Sequence, residues 1–431
     1  MSPPPWRRRR PVLLAAIAVA CVGLAAGAYA ILKSRTGNIR HPHAEFKGEA
    51  PKAPPKPQRA AFIWPNLGYT KDRRRYFPAP STLRPPFRTR WRVPGRVLLE
   101  LPPVIYGGFL YSVTNSGFLR KIDKETGRVR WTRRYGQLAA ASPAVGDGSV
   151  YVTILERQRG GNAGRVAAVD ARTGVTRWVK DLPSRSESSP LLDRGHVYFG
   201  SEDGTVYSLR ASNGSVRWRY KASGAVKGGP ALSNGVLYFG DYGGEVHAVR
   251  EDTGRREWST GTSGAALGFS SGQFYATPSL AFGRVYIGNT DHRMYSFVAR
   301  TGKLAWASET GSYVYAPSAV ADVGGLGPTV YTGSYDGTFY AYNARTGGKR
   351  WTYDAGNAIS GGATIIGNII YFATLQDTAT TGLDIRTGHR VFHFPDGKFD
   401  PAVSDGTRLY IDGYRDLYAL DPIRPAAPPK R

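Results

Sequence analysis

Along most of the chain apolar and polar residues alternate with a period of two, the mark of short, half-buried strands. Residues 205–210 read TVYSLR, 245–250 EVHAVR and 338–343 TFYAYN. Each alternating run sits in the same grammar. A Pro-containing run (ASPAV, SSPLL, GGPAL, ATPSL) leads through a Gly-bearing turn to VYFG, VYIG or VYTG. An acidic-Gly turn such as SEDG or SYDG, the alternating run, a TG turn and a Trp-bearing strand then follow. The D-G and T-G pairs supply the positive-φ positions that tight hairpins need. Outside residues 12–32 no stretch carries sustained helical periodicity.

The tryptophans set the repeat length. Trp131, Trp178, Trp218, Trp258, Trp306 and Trp351 are spaced by 47, 40, 40, 48 and 45 residues, and Phe392 fills the aromatic slot 41 residues later. Strand-and-turn chemistry at that period predicts propeller blades. Second-strand signatures at Leu110-Tyr111, Val150-Tyr151, Val197-Tyr198, Leu237-Tyr238, Val285-Tyr286, Val330-Tyr331, Ile370-Tyr371 and Leu409-Tyr410 make eight units. The eighth ends at LYALD, residues 417–421, without an outer strand, whereas RTRWRV at 88–93 sets Trp91 one repeat (40 residues) ahead of Trp131 with no unit before it. The expected fold is all-β: an eight-bladed propeller of four-stranded antiparallel blades, closed by that N-terminal strand and preceded by one transmembrane helix. Closure removes the edges an open array would expose. The aromatic slots, Trp91 to Trp351 and Phe392, are expected to pack between blades.

The string Ala168-x-Asp170-x-x-Thr173-Gly174-x-x-x-Trp178 resembles the tryptophan-docking repeat of the pyrroloquinoline-quinone (PQQ) propeller superfamily. The resemblance runs over residues 64–421, with IWPNLGYTKDRRRY as a lead-in segment. Quinoprotein dehydrogenases share this fold with a non-catalytic branch to which BamB belongs. For the dehydrogenases the resemblance implies PQQ held against adjacent cysteines and a calcium held by acidic and amide groups. This chain has one cysteine, Cys21, and neither a CxxCH haem site nor a compact calcium motif. The non-catalytic branch is therefore expected: no catalytic residue, no metal and no cofactor, with a PQQ-dependent oxidoreductase or a small-ligand sensor as the alternatives.

Composition narrows the setting. Gly at 53, Pro at 30 and Tyr at 26 suit many strands and turns, and a single Cys excludes an internal disulfide framework. Arg7 to Arg10 precede an uncharged run, Val12 to Leu32, whose 21 residues would span roughly 30 Å as a helix. With arginines on its N-terminal side, the run is expected to be a signal anchor with the N-terminus inside and the propeller outside the cytoplasmic membrane. Cleavage after Ala28-Tyr29-Ala30 and lipidation of Cys21 remain open alternatives. Of the formal charge of +26, residues 1–96 hold 20 Lys and Arg against 3 acids, and residues 97–431 hold 38 against 29. The excess thus sits mainly ahead of the propeller; an exported chain with no interleaved aromatic and basic motif on its body is not expected to take nucleic acid as a partner. The expected organisation is a basic tail at 1–11, the anchor at 12–32, a Pro- and Lys-rich linker at 33–60, the lead-in at 61–87, the propeller at 88–421 and a tail at 422–431. A monomer that docks an envelope or exported protein is the expected partner arrangement.

If the Pro-containing run opens each innermost strand, the residue three before the Pro lies near one mouth of the central channel. That position reads Glu100, Ala140, Glu187, Lys227, Tyr275, Val314, Ser360 and Lys398, with Ala363 replacing the Pro in the seventh unit. Glu100, Glu187, Lys227, Tyr275, Ser360 and Lys398 are the candidate ligand-binding residues; the alternative is a solvated polar rim. His41 and His43 fall in the linker, and His389 and His393 share no helical face.

Overall fold

The structure is a computed structural model that describes residues 38–48, 62–95, 97–99, 101–262, 272–399 and 402–423. Eight antiparallel sheets of four consecutive or joined strands make up the body. From innermost to outermost strand, blades 1 to 4 run from Val104–Tyr106 to Val129–Arg134, Ala144–Gly146 to Thr176–Asp181, Leu191–Asp193 to Val216–Lys221 and Ala231–Ser233 to Arg256–Gly261. Blades 5 to 7 run from Ser279–Ala281 to Leu304–Glu309, Ala319–Ala321 to Lys349–Asp354 and Thr364–Ile366 to Arg390–Phe394. Blade 8 contains Ala402–Ser404, Leu409–Asp412 and Leu417–Pro422, and its fourth strand is Phe87–Val93, antiparallel to Leu417–Pro422 with Ala419 opposite Trp91. None of the described residues forms a helix long and apolar enough to cross a membrane. The apolar run at 12–32, with Cys21, lies outside the described residues.

The motif around Asp170 explains the repeat. Asp170 Oδ1 accepts hydrogen bonds from the backbone N–H groups of Arg172 and Thr173 and from Thr173 Oγ1, fixing the turn. Gly174 then takes φ of +73°, and a Cβ there would stand 2.8 Å from the Trp131 ring of the preceding blade. The same relation joins Gly214 to Trp178, Gly254 to Trp218, Gly302 to Trp258, Gly347 to Trp306, Gly388 to Trp351 and Gly127 to Trp91. The glycine does more than tighten the hairpin that carries its own Trp: it clears the seat for the neighbour's. Most indoles also donate to a carbonyl of the next blade, Trp178 to Ala211 at 2.8 Å, Trp218 to Glu251 at 3.0 Å and Trp306 to Ala344 at 2.9 Å. Each such side chain contributes roughly 2–4 kcal/mol by burial.

The lead-in segment does not merely precede the ring. Ile63–Trp64 adds to the innermost strand of blade 1, and Tyr76–Phe77 runs parallel to that of blade 7. Between them, carbonyls of Pro65, Lys71, Asp72, Arg74 and Arg75 accept hydrogen bonds from Val145, Leu232, Leu280, Val320 and Ile365, one on the innermost strand of blades 2, 4, 5, 6 and 7. Arg73, fully buried, spends its guanidinium on Asn66 Oδ1 and the carbonyls of Leu67, Ser189, Pro190 and Pro230. The channel wall is thus lined by a coil of backbone pinned at its hub by one arginine.

Residues 38–48 fall inside the stretch expected to be a spacer, yet they lie along blade 5. Ile39–Arg40 pairs with its outermost strand, Arg40 donates to Ala307 O and Gly347 O, and Phe46 stacks on Phe282 at 5.4 Å. The Pro- and Lys-rich part of the linker, 49–60, lies outside the described residues, as does the tail from 424.

Candidate functional site: a cup at the channel mouth

The coil of residues 62–77 sets a floor, contributed in part by Leu67, under a cavity of about 360 Å³ at the channel mouth. That volume falls within the range of ordinary ligand pockets. Glu187, Lys227, Tyr275 and Ser360 line it, as does Ala140. Sequence reasoning therefore brought four of its six candidates to one place. Glu100 lies outside the described residues. Lys398 is not among the lining residues: its ammonium group donates to the carbonyl of Leu375, which does line the cup, as does Phe399, next to Lys398 in the chain.

Val314 is fully buried, and Tyr315 takes its place in the lining. The cause is a shift of one residue. In most blades the Pro immediately precedes the innermost strand, as Pro190 precedes Leu191 and Pro278 precedes Ser279, but Ser318 separates Pro317 from Ala319. Counting four back from the strand itself gives Glu187, Lys227, Tyr275, Tyr315 and Ser360. The buried residue just before each of several of these sits against a strand-two glycine: a Cβ at Gly200, Gly240, Gly288 or Gly333 would strike Val226, Phe274, Val314 or Ile359. That pairing of VYFG-type glycines with an apolar residue was the signal for the correct frame.

A second tier was missed altogether. Tyr242 and Tyr335 line the cup from the turns between second and third strands, DYGG and SYDG, and Glu202 holds the same place in SEDG. Those turns were read for their glycines alone. Aligning them would have exposed a Glu or Tyr aimed at the mouth.

The charges in the cup are mutually engaged. Lys227 Nζ lies 2.6 Å from Glu187 Oε1 and 2.9 Å from Glu202 Oε1, and Tyr275 Oη donates to Glu187 Oε2 at 3.2 Å. Arg185 in turn bridges Glu156 at 3.1 Å and Glu202 at 3.8 Å. Burial disfavours the Lys227 ammonium, but the two carboxylates outweigh it and hold its pKa above the ordinary lysine value. Directly beside them, with Lys227 Nζ 5.3 Å from the Tyr242 ring, runs an arc of rings: Tyr242 and Tyr275 at 6.2 Å, Tyr275 and Tyr315 edge-to-face at 5.2 Å, Tyr315 and Tyr335 edge-to-face at 5.0 Å. Burial pushes the Tyr242 phenol up to about 12, so its hydroxyl stays protonated near neutrality.

A family model described as outer membrane protein assembly factor BamB matches residues 88–224, 162–394 and 315–423. The chain belongs to this family. BamB from Moraxella catarrhalis is similar in structure, with a TM-score of 0.63 at 20% identity, over 80% of this chain and all (100%) of that one. A europium-containing methanol dehydrogenase gives 0.64 at 12% identity over 83% of this chain and 98% of that one. Quinohemoprotein alcohol dehydrogenase from Comamonas testosteroni gives 0.66 at 14% over 87% and 83%. These identities speak for the fold alone. No curated protein matches the chain.

The dehydrogenases raise the question of whether the BamB-family cup fits PQQ, a flat tricarboxylate. Among the described lining residues its one ammonium is already shared by two carboxylates, and the chain has no adjacent cysteines. The donor set does not match the cofactor. The one group of described residues that could hold a metal, Asp241, Glu245 and His247, is not part of the cup lining. It is closed on itself: Asp241 Oδ2 accepts from Ser223 Oγ and the Gly224 N–H and lies 3.1 Å from His247 Nε2, whose ring is held on its other side by Tyr220.

Proposed function

We propose that this chain is a non-catalytic interaction module of the BamB kind, closed as a ring by its N-terminal strand, carried on an N-terminal membrane anchor and facing the extracytoplasmic side, where it docks an envelope or exported protein during assembly. The observation that carries the reading is the state of the cup: its carboxylates and cations neutralise one another, which leaves neither an electrophile site nor a base poised beside one. A rigid ring that displays loops of differing sequence from every blade suits docking. The anchor rests on the arginine-flanked apolar run of residues 12–32.

The test has two arms on the full chain in detergent. In the first, the chain is supplied with PQQ and calcium and assayed for dye reduction with primary alcohols; no turnover above the protein-free control is expected. In the second, cross-linking in the native envelope should trap a specific protein through loop residues. Alcohol-dependent dye reduction would replace this reading with the quinoprotein one.

A further inference from the structure

We infer that the cup is a binding site for a neutral carbohydrate of one or two rings. Three features point to that chemistry together. The Tyr242, Tyr275, Tyr315 and Tyr335 rings form a curved apolar wall, against which the C–H face of a pyranose packs while its hydroxyls project edgewise. Among the described residues, no protein hydrogen bond engages the hydroxyls of Tyr242, Tyr315 or Tyr335, so three phenols are left to exchange hydrogen bonds with a guest. In the lining contributed by the next blade, Ser360 Oγ is buried without a partner, and a buried hydroxyl in that state calls for a ligand group or an ordered water.

Charge sets the class. An anionic guest would compete with Glu187 and Glu202 for Lys227, and a cationic guest would compete with Lys227 for the carboxylates. Either exchange strips an already satisfied group of its partner. A neutral polyol disturbs neither: it accepts from the ammonium and donates to the carboxylates on their remaining sides. The glycines at 228, 229, 361 and 362 line the wall between these groups; at the first three a Cβ would strike the backbone of Ala276, Ser189 and Phe399, so they serve the close packing of the wall itself. The volume of about 360 Å³ admits one or two rings, not a long oligosaccharide.

This site is independent of the protein-docking role, since the loops dock and the cup binds. The experiment is calorimetric and ligand-observed NMR titration of the full chain in detergent with N,N′-diacetylchitobiose, maltose and cellobiose. Chitobiose, its acetyl groups removed, serves as the cationic counterpart and glucuronate as the anionic one. At least one neutral disaccharide should bind saturably, and more tightly than both charged sugars. Tyr315→Ala and Tyr242→Ala should weaken it by about tenfold or more, and Ser360→Ala by about threefold. Tyr335→Phe keeps the ring packing and removes only a hydroxyl; it should weaken binding about threefold even where an alanine variant fails to fold. Absence of binding by all three neutral sugars at about 10 mM, tighter binding of a charged sugar, or an unchanged affinity in Tyr335→Phe and Ser360→Ala together would overturn the assignment.

Discussion

The two seams that flank blade 8 differ from each other and from the rest. At the seam between blades 8 and 1, Trp91 sits over Gly127 and donates to Lys124 O at 3.1 Å, as its counterparts do elsewhere. Beneath it, however, lies a buried ion pair, Lys124 to Asp405 at 3.0 Å, with Arg408 bonded to Lys124 O and to Glu125. At the seam between blades 7 and 8 the Trp is absent, and Phe392 meets Phe87 edge-to-face at 5.5 Å. Both departures have one origin. The outer two strands of blade 8 come from opposite ends of the sequence, so they share no TG hairpin. Without that turn blade 8 offers no glycine seat to an indole from blade 7, and a phenyl, which has nothing to donate, fills the slot. The strand that joins from residues 87–93 has no covalent hairpin to hold it in register, and the charged cluster at its other face supplies what the turn supplies elsewhere.

Breaking the ion pair should give the largest effect. Asp405→Ala removes the carboxylate that faces the buried Lys124 ammonium and should lower stability by about 3–5 kcal/mol in a urea titration. A matching pH dependence follows. Burial opposes the charge on Asp405, but hydrogen bonds from Thr407 and the field of Lys124 prevail and keep its pKa below the ordinary carboxylate value. A depressed carboxylate pKa contributes stability that is complete above the unfolded value near 4 and is lost as pH falls through the folded value. Wild-type stability should therefore decline below about pH 4, and Asp405→Asn should flatten that decline. An ordinary seam without this pair gives the contrast: Gly347→Ala puts a methyl 2.6 Å from the Trp306 ring at φ of +72°. Overpacking and left-handed strain together should cost about 2–4 kcal/mol, with no change in the acid limb.

Restoring the consensus at the odd seam tests the explanation from the other side. Phe392→Trp should destabilise by about 1–2 kcal/mol, because blade 8 has neither the glycine seat nor the turn carbonyl that an indole requires. A stabilising outcome would show that the missing hairpin is not the reason for the phenylalanine.

Much of this was legible in advance. The period of the tryptophans, the orphan Trp91 and the unfinished unit at Leu417–Asp421 together pointed to the strand pairing found in blade 8. Glu187, Lys227 and Tyr275 followed from counting back from a proline, and Ser360 from Ala363 in the equivalent slot. The count failed at Pro317, where one inserted serine moves the frame, because a proline marks where a strand can begin and not where it does. Tyr242, Tyr335 and Glu202 were hidden by reading turns only for their backbone needs. The arginine hub at Arg73 had no sequence signal: RRR in a Pro-rich, basic stretch reads as solvated charge, and it is the ring of acceptors around it, Asn66 Oδ1, Leu67 O and the carbonyls of Ser189, Pro190 and Pro230, that makes its burial tolerable.

The finest contrast lies inside the regular seams. At the seam between blades 2 and 3, Trp178 Nε1 and Tyr151 Oη both reach Ala211 O, at 2.8 and 3.4 Å. At the seam between blades 1 and 2, Tyr111 Oη takes Ala171 O alone at 2.8 Å, and the indole N–H of Trp131 is buried without an acceptor. Phenylalanine at either position removes similar apolar area, but only at 178 does it also remove a hydrogen bond; at 131 it relieves an unsatisfied donor. Trp178→Phe should therefore destabilise by about 0.5–1.5 kcal/mol more than Trp131→Phe. Equal losses in paired urea titrations would mean that the indole acts through its area and its glycine seat alone, with the shared carbonyl contributing nothing to the seam.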